Sequence, residues 1–223
     1  MSEPDPENEP PLGGTPPCYL HEIVEPRRAE EAPPVDLARW RRGERERLIA
    51  LRMALPAEVR SAVAEGIARE LDRTVARAGG GIVSVYWPIR GEPDLRPWMR
   101  EASAQGLRIA LPVAVALNQP LKFREWRPGA RMSHGLWKIP YPADGAEVQP
   151  TTVLAPLVGF DAGCFRLGYG GGFFDRTLAG FEHKPLAIGV GYAQTRLPTI
   201  FPQTHDIPMD RILLGSGPAI RRS

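Results

Sequence analysis

The chain has 223 residues, a length that fits one domain or one domain with a tail. Its 28 basic and 26 acidic side chains nearly cancel to a formal charge of +2, and the arginines are scattered, which excludes the concentrated basic footprint of a nucleic-acid module. No apolar run reaches the ~18 residues of a membrane span, the acidic, proline-rich start is no secretory signal, and Cys18 and Cys164 form neither a disulfide framework nor a zinc site, so a reducing cytoplasm is the expected compartment.

Residues 1–35 are dominated by proline, glutamate and glycine, and they lack apolar periodicity. Such a segment cannot bury enough surface to offset its ordering entropy, so a disordered tail is expected, with "CYLHEIV" as an apolar island within it. From Asp36, a good N-cap, Leu37, Trp40, Leu48, Leu51 and Leu55 fall near one helical face, with Arg41, Arg45 and Arg52 along its flank. A second helix is predicted over "PAEVRSAVAEGIARELDRTVARA", ended by Gly79, Gly80 and Gly81.

"GIVSVYWP" reads as a buried strand, "DLRPWMREASAQG" as a helix and "LRIALPVAV" as a strand, an order that suggests a parallel βαβ unit. "PLKFREW" alternates like a strand near an edge. "TTVLAPLVGFD" reads as a third buried strand running directly into the glycine-rich loop, "FFDRTLAGF" as a helix and "PLAIGVGY" as a fourth core strand. After "LPTIFPQTHDIPMD" comes a last strand. The domain is expected to span residues 36–223 as a single three-layer α/β unit with a largely parallel sheet.

The loop "RLGYGGGFFD" lies between a strand and a helix, where ligands bind in open α/β sheets. Consecutive glycine N–H groups form a concave nest, and the helix start adds partial positive charge, so phosphate is the natural guest, with Arg166 as a mobile cation at the mouth. The loop lacks the lysine of G-x-x-x-x-G-K-[ST], and Phe173 stands where G-x-G-x-x-G needs its last glycine, so a purely structural turn stays open beside anion binding. Asp175 has two readings as well: it balances the helix dipole, or it holds Mg²⁺ beside phosphate.

The stretch "PLVGFDAGCFRLGYGGGFFDRTL" resembles the 5-formyltetrahydrofolate cyclo-ligase family, also called 5,10-methenyltetrahydrofolate synthetase. The similarity extends over roughly residues 37–215 through "GEPDL", "KIPYP" and "HDIPMDRIL". It implies a Rossmann-like fold shared with sugar-phosphate isomerases and CoA transferases. It implies an ATP- and Mg²⁺-dependent ligase that cyclises 5-formyltetrahydrofolate through a phosphorylated formyl oxygen. Folate and ATP are then the partners of a monomer or weak homo-oligomer, with no nucleic acid and no membrane.

Carried onto this sequence, the resemblance assigns the ATP phosphates to Arg166, Leu167, Gly168, Tyr169, Gly170, Gly171, Gly172, Phe173 and Phe174, with Arg166 and Asp175 catalytic. Asp175 and Asp210 would hold the metal, although Asp210 also reads as a turn residue. Arg41 and Arg45 match a basic pair at i, i+4 that contacts ATP, the plain alternative being a solvated basic face. Glu92 matches a folate-binding glutamate, and Trp87 would either stack on the ligand or pack in the core. Tyr141 stands where relatives commonly carry Glu or Gln, a departure that bears on substrate identity, and a tyrosine offers one hydrogen bond without a charge. His205 and Asp206 read as structural, and Cys164 as packing. Two other functions stay open: a paralogue acting on another substrate, for instance in thiamin salvage, and a folate- or nucleotide-binding protein without turnover.

Overall fold

The computed structural model describes residues 36–77 and 81–222. The expectations for residues 1–35, and for Gly79 and Gly80 as a helix stop, lie outside the described residues. α1 spans Leu37–Met53 and starts as the sequence predicts, with the Asp36 carboxylate accepting the N–H of Arg39 at 2.9 Å. α2 spans Ala57–Arg77.

Among the described residues the sheet has seven strands. In chain order they are β1 (Ile82–Ser84), β2 (Arg108–Val113), β3 (Lys122–Trp126), β6 (Thr152–Pro156), β9 (Leu186–Val190), β10 (Arg211–Leu213) and β11 (Ile220–Arg221). Their spatial order is β11-β10-β9-β6-β1-β2-β3. The run from β10 to β2 is parallel, and the two edge strands, β11 and β3, pair antiparallel. α3 (Arg96–Ala104) crosses from β1 to the parallel β2, which is the expected βαβ unit.

The central strands are buried on both faces, as parallel strands must be. Period-two alternation sends Ile109, Leu111, Leu154 and Ile188 to the face covered by Ile67 and Leu71 of α2 and by Trp98 and Met99 of α3. The smaller Ala110, Val153, Ala155 and Ala187 meet Leu178 of α4 (Phe173–Ala179) on the other face. Helices on both sides of the sheet make the three layers.

α1 belongs to neither face. Its Leu48 packs with Val158, Leu167, Leu197 and Ile200, beyond the end of β6. That placement corrects the predicted apolar stripe: Leu51 is 38% exposed, whereas Arg52 is completely buried.

Three further differences shape the site. The glycine-rich loop does not follow the third core strand directly. A small hairpin, β7 (Gly159–Phe160) with β8 (Arg166–Leu167), stands between them. Asp161 closes it by accepting the N–H groups of Gly163 and Phe165, and its other oxygen accepts from Ile200. Second, β1 has three residues and not the whole of "GIVSVYWP"; Pro88 has no N–H to continue a ladder, and the Tyr86 hydroxyl turns to the carbonyl of Pro93 at 2.8 Å. Third, β4 (Met132–His134) and β5 (Pro140–Pro142) form a separate antiparallel hairpin. Its two prolines hid it from a strand reading, because proline is tolerated only where no ladder partner needs its N–H.

Candidate active site

The strand order reverses between β1 and β6, and an open cleft of about 550 Å³ lies at the C-terminal ends of these strands. That is the topological switch point at which doubly wound sheets bind ligands. Chain segments that converge on it include α1, the turn after β1, the β4–β5 hairpin, the glycine-rich loop and the 205–206 stretch.

The loop is built as a donor surface. Gly170 sits at φ +96° and Gly172 at φ +63°, both in the region that favours glycine. Gly172 is also the N-cap of α4, where it brings no side chain. Among the described residues, the N–H groups of Tyr169, Gly170, Gly171 and Gly172 donate to no protein acceptor, the condition for an anion-binding nest. α4 has only seven residues, so the backbone nest matters more here than a macrodipole.

The arginines divide by role. Arg45 donates from Nε to the carbonyl of Gly168 at 2.7 Å, and its guanidinium carbon lies 3.3 Å from where a Cβ on Gly170 would sit. Burial first, and then the charge of Arg41, hold the pKa of Arg45 below its usual value. Arg41 shares the same flank, as the i, i+4 spacing predicts, and reaches the cleft wall, but its groups are taken. It pairs with Asp206 at 2.6 Å and donates to the carbonyls of Ile200 and Phe201. Asp206 also accepts from Gln203 N–H, so the "HD" pair is structural through its aspartate, while His205 is largely exposed.

Arg166 is not a mobile cation. It is buried beneath the loop, with Nη1 donating to the carbonyl of Ile207 at 3.0 Å and Nη2 lying 2.9 Å from Asp175 Oδ1. The same Asp175 oxygen accepts the N–H of Ile207. Burial lowers the Arg166 pKa, and the Asp175 charge opposes that shift.

Asp175 and Asp210 do not come together as a metal pair. Asp210 stands at the start of β10, where its Oδ2 accepts the N–H of Ala187 at 2.8 Å and its own N–H donates to Ala187 O. It is not among the residues lining the cleft. Mg²⁺ commonly takes one or two carboxylates beside phosphate oxygens. Asp175, which lines the cleft, suits that arrangement; among the described residues there is no group of three or more His, Cys, Asp or Glu side chains placed to hold a metal alone.

On the opposite wall, Glu92 is 5% exposed, and burial raises its pKa to about 6 against the pull of Ile89 N–H, Arg52 and Tyr169. Its Oε2 accepts from Ile89 N–H at 2.9 Å, and its Oε1 accepts from the Tyr169 hydroxyl at 2.8 Å. Trp87 lines the cleft, packs against the main core and carries the Arg96 guanidinium 5.4 Å over its ring. Tyr141 faces the cleft from β5 with Arg124 5.6 Å over its ring.

Two residues went unassigned in the sequence. Arg52 reads as a flanking surface arginine, yet it donates to Arg90 O at 2.8 Å, Leu157 O at 3.1 Å and the Tyr169 hydroxyl. Trp137 caps the β4–β5 hairpin at φ +55°, is 61% exposed, and stands edge-on to Phe173 at 5.4 Å across the cleft. A large aromatic in the polar stretch before "KIPYP" was the available signal.

A family model described as the 5-formyltetrahydrofolate cyclo-ligase family matches residues 38–215. The 5-formyltetrahydrofolate cyclo-ligase of Mycolicibacterium smegmatis is 30% identical over 177 residues, covering 76% of this chain and 90% of that protein. The protein of the same name from Escherichia coli K12 is 30% identical over 141 residues, covering 60% of this chain and 78% of that one. Among solved structures, Aquifex aeolicus 5,10-methenyltetrahydrofolate synthetase is similar at a TM-score of 0.70 and 25% identity, covering 81% of this chain and 92% of that chain. A Mycoplasma pneumoniae 5,10-methenyltetrahydrofolate synthetase shares the fold at a TM-score of 0.65 and 20% identity, covering 79% of this chain and 99% of that chain.

Proposed function

The chain belongs to the 5-formyltetrahydrofolate cyclo-ligase family and is a ligase, and we propose that it closes 5-formyltetrahydrofolate to 5,10-methenyltetrahydrofolate at the expense of ATP. The observation that carries this reading is the convergence on one cleft of an unpaired N–H loop, Arg45, Asp175 and the buried carboxylate Glu92.

The formyl oxygen is a poor leaving group, so N10 of the folate cannot expel it unaided. In the proposed reaction that oxygen attacks the γ-phosphorus and ADP departs. N10 then attacks the formyl carbon and loses its proton to solvent, and the carbon–oxygen bond breaks to release phosphate. No covalent bond to the protein forms, and catalysis consists of alignment and charge neutralisation.

The nest from Gly168 to Phe174 would hold the phosphates, with Arg45 as the arginine at the loop. Arg41 and Arg166 would act from behind, one fixing the 200–206 segment and the other fixing Asp175. Asp175 would hold Mg²⁺ with the phosphate oxygens. When bound, that ion neutralises charge on the transferring phosphoryl group. Glu92, largely ionised at pH 7 with a pKa of about 6, would accept N–H donors of the pterin between Trp87 and Tyr141. Residues 36–223 would form the catalytic unit in a reducing cytoplasm.

The test is direct. The protein is incubated with 5-formyltetrahydrofolate, ATP and Mg²⁺, and the near-ultraviolet absorbance of the methenyl product is followed. Product should form only with all three present. Tyr141 favours one second reading, a paralogue with another substrate, because a phenol cannot reproduce a carboxylate. ATP turnover with a different acceptor, and none with the formyl folate, would select that reading.

A further inference from the structure

Tyr169 lies inside the glycine-rich loop, one residue before the φ +96° of Gly170. Its hydroxyl leaves the loop and enters the opposite wall, where it accepts from Arg52 Nη2 and donates to Glu92 Oε1 at 2.8 Å. Arg52 is fully buried, with its Nε donating to Arg90 O and its Nη1 to Leu157 O. A hydroxyl has one proton to give, and here both of its functions are used. Glu92 keeps one other hydrogen bond, from Ile89 N–H. The guanidinium of Arg90 stands 5.8 Å over the Tyr169 ring, which holds the tyrosine from a second side.

We infer that Tyr169 is a positioning residue that acts through Glu92, tying the loop that would receive the nucleotide to the carboxylate that would receive the folate. The inference rests on the folate role proposed for Glu92. The charged and titratable groups around that carboxylate are Arg52 from α1, Tyr169 from the loop, Tyr192 from the segment after β9, and Tyr86, Arg90 and Asp94 from its own stretch. Of these, only Tyr169 hydrogen-bonds to it. Removing the hydroxyl takes one of two donors from a buried carboxylate and leaves Arg52 Nη2 without its acceptor, so the charged form of Glu92 is less favoured.

The experiment is a double-mutant cycle with Tyr169→Phe, Glu92→Gln and both together, read by the affinity of the ligand-free protein for 5-formyltetrahydrofolate. Tyr169→Phe should weaken binding about tenfold at pH 7, a ratio worth ~1.4 kcal/mol, and the loss should shrink as pH rises. In the Glu92→Gln background the same change should cost less than twofold. ¹³C-carboxyl NMR of the ligand-free protein gives a second readout, in which the Glu92 titration midpoint should move up by about two pH units in Tyr169→Phe, the shift from about 6 that lowers the ionised fraction at pH 7 about tenfold. An unmoved midpoint, or an equal affinity loss in both backgrounds when Glu92→Gln by itself weakens binding, overturns the inference. A moved midpoint with affinity indifferent to Glu92→Gln supports the bridge and removes Glu92 from the folate site, so the two readings fail separately.

Discussion

Asp175→Asn separates three roles that one carboxylate can play. If Asp175 only balanced a helix dipole, the change would cost ~0.3–1 kcal/mol of stability and little activity. The structure gives it a heavier duty, because it faces a guanidinium whose side chain is 4% exposed, and its own is 18% exposed. Removing one partner of a buried pair leaves an uncompensated charge, at about 3–5 kcal/mol. For a domain of this size that corresponds to a fall in Tm of roughly 6–20 °C. Asparagine retains an oxygen for Ile207 N–H, so that hydrogen bond is not the source of the loss. The metal role is separate from stability. If Asp175 holds Mg²⁺, kcat should fall about 100-fold, ~3 kcal/mol of barrier, and the Mg²⁺ concentration for half-activity should rise. Thermal unfolding without ligands reads the ion pair, and a Mg²⁺ titration of the methenyl assay well below the variant's Tm reads the metal. A Tm within ~2 °C of the parent would refute the ion-pair reasoning. A normal kcat with unchanged Mg²⁺ dependence would refute the metal assignment.

Gly170→Ala must hold an alanine at φ +96° against the Arg45 guanidinium, so ATP KM should rise or Tm fall by an amount worth ~1–3 kcal/mol; Gly168→Ala, whose Cβ meets nothing within 4 Å, should leave Tm unchanged. Glu92 has a folded pKa near 6 against an ordinary 4.5, so the native state binds more protons across that window and stability falls as pH rises through it. The loss amounts to about 2 kcal/mol, and urea melts should show this slope in the parent and not in Glu92→Gln. Deleting residues 1–34 should keep kcat/KM within about threefold in the methenyl assay, under ~1 kcal/mol of barrier, because no proposed site residue lies there.

The elements legible in the sequence were those whose cause is local. Asp36 announced α1 because an N-cap acts within three residues, and the apolar runs at 108–113, 152–156 and 186–190 announced strands buried on both faces. The glycine-rich loop was legible for the same reason, since its backbone demands are written into its residues. What escaped depends on partners far along the chain. Arg52 reads as a surface residue of a helix until Leu157 and Tyr169, more than 100 positions away, supply its acceptors. Glycine patterns mark the loop but not its strained positions: the sequence singles out no one of the four glycines, whereas the positive φ values fall on Gly170 and Gly172.

The same contrast bears on the basic candidates. Arg41, Arg45 and Arg166 look alike in sequence, and a basic residue near a phosphate loop invites a ligand role. Their use depends on whether nearby carbonyls and carboxylates have already claimed them. Arg41 and Arg166 each meet a carboxylate and backbone carbonyls, so moving either toward a ligand would break interactions made in the dry interior. Arg45 spends only its Nε on the loop carbonyl, and its remaining donors make no protein hydrogen bond among the described residues. A guanidinium in that state can turn to an incoming phosphate at no cost in native contacts. Within the basic trio, Arg45→Ala should therefore raise ATP KM with little change in Tm, whereas Arg41→Ala should lower Tm first. Equal effects of the two substitutions on both quantities would show that the native hydrogen bonds do not set their roles.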